Sequence, residues 1–257
     1  MQTNILIPTY NSFDTIPSTI TSLSQQTINN FKLIIHDNSD YTIFEHPTIR
    51  RLITLLDKVE IKTLVHRDTR PMNHSRARYE AFQLIDADCT QVIYIDDDVI
   101  LTPKTLSRLL QTKTKHKSKP FIQGVLYDSD NVRGLHDYEE CVLTSYNYKK
   151  YNPRIYQYWR WDEDLILDLQ DGSRLNTGLV LIDRKMMEAV GPFNWHKHVP
   201  LCEDNTLGIL LEQKYGNGLL RTGALGYHIP AGGKRKSANY ASIDKLMYNF
   251  FYKEKWL

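Results

Sequence analysis

Between Ile5 and Ile95 the chain passes four times through a short run rich in Ile, Leu and Val that stops at polar residues: residues 5–7, 31–36, 61–65 and 91–95. Runs of this length and composition read as buried strands. The stretches between them, residues 12–26, 49–56 and 75–85, read as helices. Strand and helix in alternation commit a chain to an α/β fold. Parallel neighbours need a crossover, the helix supplies it, and both faces of the sheet end up covered.

In open α/β sheets the crevice outside the carboxyl ends of the strands takes the ligand. Here the first strand ends at Pro8-Thr9-Tyr10-Asn11, the second at Asp37 and the fourth at Asp96-Asp97-Asp98. Three successive carboxylates with no counter-charge between them repel one another. A hard divalent cation such as Mg²⁺ or Mn²⁺ takes oxygen ligands, bridges to phosphate and relieves that repulsion. The residues alone equally allow a solvated acidic turn or a helix N-terminus, because Thr102-Pro103 opens a helix soon afterwards.

The second half is less regular. Residues 121–127, 179–182 and 224–228 read as strands, and residues 184–189, 203–214 and 238–256 as helices. Residues 128–171 are rich in Tyr, Trp, Arg and Asp and show little periodicity. A functional boundary is expected at Lys117-Ser118-Lys119-Pro120, dividing a half spanning 1–118 from one spanning 119–257.

A net charge of +2 is too small to argue for nucleic acid. The cysteines Cys89, Cys141 and Cys202 are too far apart for a zinc spacing or a disulfide framework, which favours a reducing compartment. The opening Met1-Gln2-Thr3-Asn4 leads straight into a strand, with no signal-peptide pattern, and no run approaches about 18 apolar residues. A cytoplasmic protein is expected. The aromatic and basic run from Lys245 to Lys253 leaves open a peripheral membrane contact through the C-terminal helix.

Several segments, in order, resemble family 2 glycosyltransferases, which have the GT-A fold. Ile7-Pro8-Thr9-Tyr10-Asn11-Ser12 looks like the family's first strand, and residues 31–39 like its second. Ala77-Arg78-Tyr79-Glu80-Ala81 is similar to the helix before the metal motif, with Tyr79 where the family usually has Asn. Ile95-Asp96-Asp97-Asp98-Val99 resembles the Asp-x-Asp motif, read as Asp96 and Asp98. Asn176-Thr177-Gly178, then Val190-Gly191-Pro192-Phe193 and Glu203-Asp204, resemble the approach to the catalytic helix, and Tyr227-His228 a late strand whose His completes the metal site.

The resemblance implies a GT-A type three-layer α/β/α sandwich with a mostly parallel central sheet, whose halves bind donor and acceptor. It implies Mn²⁺ or Mg²⁺ as cofactor, with Asp98 the main ligand, His228 a further one, and Asp96 holding the metal, a metal-bound water or the ribose. The nucleotide-sugar donor, a UDP-sugar foremost, would meet Pro8, Thr9, Tyr10, Asn11, Asp37, Arg70, Arg78, Asp96, Asp97, Lys234 and Arg235. Arg suits phosphate because its planar fork donates in pairs. Asp204 would be the general base, Glu203 would contact the acceptor, and Trp159 and Trp161 would stack on a glycan, glycolipid or glycoprotein acceptor. A base opposite the leaving group implies single displacement with inversion. Two other readings compete. A sugar nucleotidyltransferase usually carries a Gly-rich phosphate loop after the first strand, and residues 8–12 hold no glycine. A non-catalytic sugar- or nucleotide-binding module would most simply have lost Asp98 or Asp204.

Overall fold

The computed structural model describes residues 2–128, 164–169, 175–192 and 203–229. In chain order the elements are β1 (Gln2–Thr9), α1 (Ile16–Ser24), β2 (Phe31–Asp37), α2 (Pro47–Lys58), β3 (Lys62–Arg67), α3 (His74–Phe82), β4 (Cys89–Ile95) and β5 (Val99–Leu101). They continue with α4 (Thr105–Lys115), β6 (Phe121–Asp128), β7 (Ile166–Asp168), β8 (Leu179–Asp183), α5 (Arg184–Val190), α6 (Glu203–Tyr215) and β9 (Leu219–His228). The strands form one sheet in the order β3-β2-β1-β4-β8-β6-β9-β5, with β7 added on β9.

The fold is α/β, as expected, with helices on both faces of a mixed sheet. From β3 to β4 the strands are parallel, each reached by a helical crossover. The sense reverses at β8, antiparallel to both β4 and β6, while β6 and β9 run parallel. The order also reverses around β1: β2 lies on one side of it and β4 on the other. Such a switch point opens a crevice at the carboxyl ends of the two flanking strands. Thr9 closes β1 there, and the Asp triplet follows β4.

The central strands are buried on both faces, and their side chains, pointing alternately to either side, sort the core into two layers. Ile5, Ile7, Leu33, Ile35, Ile93, Ile95, Leu179 and Leu181 pack with Ile16, Ile20, Leu106 and Leu109 of α1 and α4. Leu6, Ile34, Val92, Tyr94, Val180 and Ile182 pack with Ala81 and Phe82 of α3, Met187 of α5 and Leu207 and Leu211 of α6. Tyr94 is fully buried in this second layer.

The structure departs from the periodicity reading in several places, β7 within the stretch 128–171 among them. Helix α1 starts at Ile16 rather than residue 12, because Asn11 is left-handed with φ 56° and Thr15 N–H turns back to the Ser12 carbonyl. Strand β9 begins at Leu219, five residues before the expected start. The three-residue β5 was not expected at all; it pairs antiparallel with the end of β9, setting Val99 opposite His228. The expected helix 238–256 lies outside the described residues. No helix among the described residues is long and apolar enough to cross a membrane.

Candidate active site

The crevice is walled by two loops joined side chain to backbone. After β1, Asn11 donates its Nδ2 to Asp40 Oδ2 at 2.8 Å and accepts the Asp40 N–H on Oδ1 at 3.0 Å. Its own N–H goes to Ser39 Oγ at 2.8 Å. Asn tolerates the left-handed backbone this requires. Tyr10 stands over the junction, half exposed, its hydroxyl 3.3 Å from Asp40 Oδ1.

Asp37 closes β2. It is fully buried, and its carboxylate accepts the N–H groups of Ser39 and Ile43, each at 3.0 Å, with Arg67 Nη1 at 3.4 Å. A loop that turns back over the sheet needs an acceptor for those N–H groups, and Asp37 supplies it. Its contribution is to shape the wall. Arg67, which also donates to the Asp40 carbonyl at 3.2 Å, holds the same loop from β3.

The three carboxylates after β4 have three different environments. Asp96 Oδ1 meets Arg78 Nη2 of α3 at 2.8 Å, and the Asp96 N–H reaches the Gly178 carbonyl at 3.2 Å. A Cβ on Gly178 would stand 3.0 Å from Asp96 Oδ2, so only glycine lets that turn approach so closely. Asp97 keeps an edge toward solvent yet is surrounded by protein. Burial pushes its carboxyl up to about 6; the Ser12 and Thr9 hydroxyls oppose the rise, and the neighbouring Asp98 and Asp96 add to it. Its main-chain carbonyl accepts from Thr19 Oγ1 of α1 at 3.0 Å. Asp98 is buried, with His228 Nε2 3.1 Å from its Oδ2.

That last contact is built by β5. Pairing Val99 with His228 brings the end of β9 alongside the triplet, and Ile229 N–H donates to the Asp98 carbonyl at 2.8 Å. A carboxylate and an imidazole side by side form a donor pair suited to a divalent cation such as Mn²⁺. No group of three or more His, Cys, Asp or Glu side chains is assembled for a metal among the described residues. The donor pair still fits the implied ion if a diphosphate and water supply the remaining ligands, as such cations commonly arrange.

The other expected residues divide. Arg78 enters the site through Asp96. Arg70 is turned onto Asp68, which it grips through Nε at 2.9 Å and through Nη2, with Glu80 at 3.5 Å. That grip holds the Asp68 carboxyl well below the usual range. Thr9 lines Asp97. Asp204 sits, half-buried, in the first turn of α6. Helix α6 is tied toward the triplet by packing: a Cβ on Gly208 would come 2.8 Å from Leu175 Cβ, and Leu175 leads into the Asn176–Gly178 turn beside Asp96. Trp159, Trp161, Lys234 and Arg235 lie outside the described residues, as does the side chain of Glu203.

Sequence reasoning passed over Gln123. It is buried in β6, accepts the Asn176 N–H at 3.0 Å and donates to the Asn176 carbonyl at 3.1 Å, bracing the turn against Asp96. A polar residue inside the apolar run 121–126 was the available signal.

Solved structures share this architecture. TarS of S. aureus superposes with a TM-score of 0.61 at 15% identity, over 89% of this chain and 37% of that one. The mannosyltransferase PcManGT of Pyrobaculum calidifontis, in complex with GDP-Man and Mn²⁺, gives 0.61 at 12% identity, over 91% of this chain and 58% of its own. GalNAc-T7 with UDP, GalNAc and Mn²⁺ gives 0.62 at 12% identity, over 90% and 43%. The chain thus spans less than two thirds of each of these proteins. No curated protein matches it in sequence. The family model Glycosyl transferase family 2 matches residues 4–169, from β1 through the triplet to β7. With the GT-A architecture in place as well, the chain belongs to glycosyl transferase family 2.

Proposed function

We propose that the chain transfers a sugar from a nucleoside-diphosphate sugar, a UDP-sugar foremost, to a hydroxyl of a glycan or glycoconjugate, with inversion at the anomeric carbon. One observation carries the reading: the contact of Asp98 with His228, 3.1 Å apart, beside Asp96 at the β1/β4 switch point. Mn²⁺ or Mg²⁺ would be held by Asp98 and His228, with Asp96 facing the ribose or a metal-bound water. The ion supplies stabilisation of the charge that grows on the diphosphate as the bond to the anomeric carbon breaks.

The rest belongs to the chain's own groups. The half-exposed Tyr10 offers its ring face to the base at the mouth of the crevice. Asp204 takes the proton of the acceptor hydroxyl as that oxygen forms its bond to the anomeric carbon. A carboxylate at a helix start suits that task. The likeness to proteins solved with GDP-Man and Mn²⁺ and with UDP, GalNAc and Mn²⁺ supports the donor class.

The test is a thermal-shift panel of UDP, GDP, dTDP and CMP, each with and without Mn²⁺, since a ligand that binds the native state raises its melting temperature. A rise with one nucleotide that needs Mn²⁺ and disappears in Asp98→Ala is expected. Asp204→Asn should keep that rise and lose sugar transfer. No shift with any nucleotide would overturn the reading.

A further inference from the structure

Tyr94 near the end of β4 and Asp96, just beyond that strand, both hold the same residue of α3. The Tyr94 hydroxyl donates to the main-chain carbonyl of Arg78 at 3.1 Å, and the Arg78 guanidinium meets Asp96 Oδ1 at 2.8 Å. The result is a closed ring: strand backbone, phenol, helix backbone, guanidinium, carboxylate, and back to the strand. Tyr94 is fully buried and Arg78 nearly so, at 7% exposure. Packing alone does not call for the phenolic oxygen. The strand position sits among Leu6, Ile34, Val92 and Val180, where a phenylalanine ring would fill the same space.

The geometry points to Tyr94 as a positioning residue for the donor site, acting through Arg78 on Asp96. This rests on the donor-site reading above. A guanidinium on a long side chain chooses among many rotamers, and each holds a carboxylate in a different plane. Pinning the Arg78 backbone to Tyr94, two residues before Asp96, fixes where that turn of α3 stands relative to the triplet and narrows the choice. Asp96 is then held at two points: Arg78 at its Oδ1, and its own main-chain N–H on the Gly178 carbonyl. A carboxylate so held keeps its second oxygen in one direction, whichever of ribose or metal-bound water it serves. It also keeps its charge paired with Arg78.

The experiment is titration of the full chain with Mn²⁺ in the presence of UDP, free Mn²⁺ being followed by its paramagnetic resonance signal. Wild type, Tyr94→Phe, Asp96→Asn and the double variant are compared. Outer-shell partners of metal sites cost roughly 10- to 100-fold in affinity when removed, and Tyr94 acts one residue further out. A loss of about tenfold is therefore expected in Tyr94→Phe, with circular dichroism and cooperative melting retained. That loss should vanish in the Asp96→Asn background, because residues of one network are not additive. A general loosening of the core would persist there. Arg78→Lys, which keeps the charge but not the fork, should reproduce the loss in the wild-type background and serves if Tyr94→Phe folds poorly. Binding by wild type that Tyr94→Phe leaves unchanged, or a loss undiminished in Asp96→Asn, overturns the role of Tyr94 alone. Absence of Mn²⁺ and UDP binding by the wild type overturns the donor-site reading and the role of Tyr94 together.

Discussion

Replacing Asp97 by Asn makes the cost of confining the middle carboxylate measurable. In the metal-free fold its carboxyl is raised from the ordinary 3.8 to about 6, first by burial and further by Asp98 and Asp96. A raised folded value means the native state holds the proton more tightly than the unfolded chain. Asp97 therefore adds stability below the unfolded value, and that stability is lost as pH rises through the folded one. The full difference corresponds to about 3 kcal/mol, and between about pH 4.5 and about pH 7.5 linkage leaves about 2 kcal/mol. Because Asp97 keeps an edge toward solvent, this is an upper figure. Asn has no charge to confine and no proton to lose. Urea unfolding of wild type and Asp97→Asn, both freed of divalent ions with EDTA, should show the variant gaining on wild type by up to about 2 kcal/mol on going from the lower pH to the higher. The Thr9 and Ser12 hydroxyls favour the charged carboxylate, and their effect is already contained in the value of about 6. A stability difference that stays the same at both pH values would refute the reasoning.

Other outcomes follow from the same geometry. His36 is fully buried and stacked on His66, and its pKa is lowered from 6.5 by burial and then by that neighbour, so the unfolded chain takes up a proton that the native state resists. Stability contributed by His36 is lost as pH falls below its unfolded value; His36→Leu should flatten urea midpoints over that range, opposite in sign to Asp97. Gly178→Ala places a methyl 2.7 Å from Leu126 Cδ1 and 3.0 Å from Asp96 Oδ2; it should cost about 1–3 kcal/mol in urea unfolding and weaken Mn²⁺-dependent nucleotide binding in the thermal-shift assay. Leu181→Ala, in the buried centre of β8 between β4 and β6, should cost about 2–5 kcal/mol by urea unfolding while leaving the Mn²⁺ dependence of nucleotide stabilisation intact.

Much of the first half of the chain is legible in the sequence because its signals are local. The run of residues 91–95 is apolar and β-branched or aromatic, and β4 forms there; the carboxylates that follow fall at the strand end because the apolar run stops. Local rules misjudge the start of α1, since nothing in the helical spacing of residues 12–15 reports that Asn11 turns left-handed to meet Asp40. They also do not report how the Asp37 side chain is held. A carboxylate at a strand end suggests a ligand, yet the loop beyond it needs acceptors for two N–H groups and draws the side chain inward. Arg70 is diverted in the same way by Asp68, only two residues away, whose carboxylate it grips.

The amino-acid sequence by itself determined the alternation of strand and helix, the apolar faces that sort into two core layers, and the acidic end of β4. Each follows from residue type and spacing within a dozen positions, where propensity and burial act directly. Only the tertiary structure decided that β9 returns beside β5 and sets His228 against Asp98. It likewise decided that Arg78 closes on Asp96, and that Gly178 lets a turn press against the same carboxylate. Those contacts join segments far apart in the chain, and their geometry depends on strand order and register. No local spacing encodes either of these; they arise when the whole sheet packs.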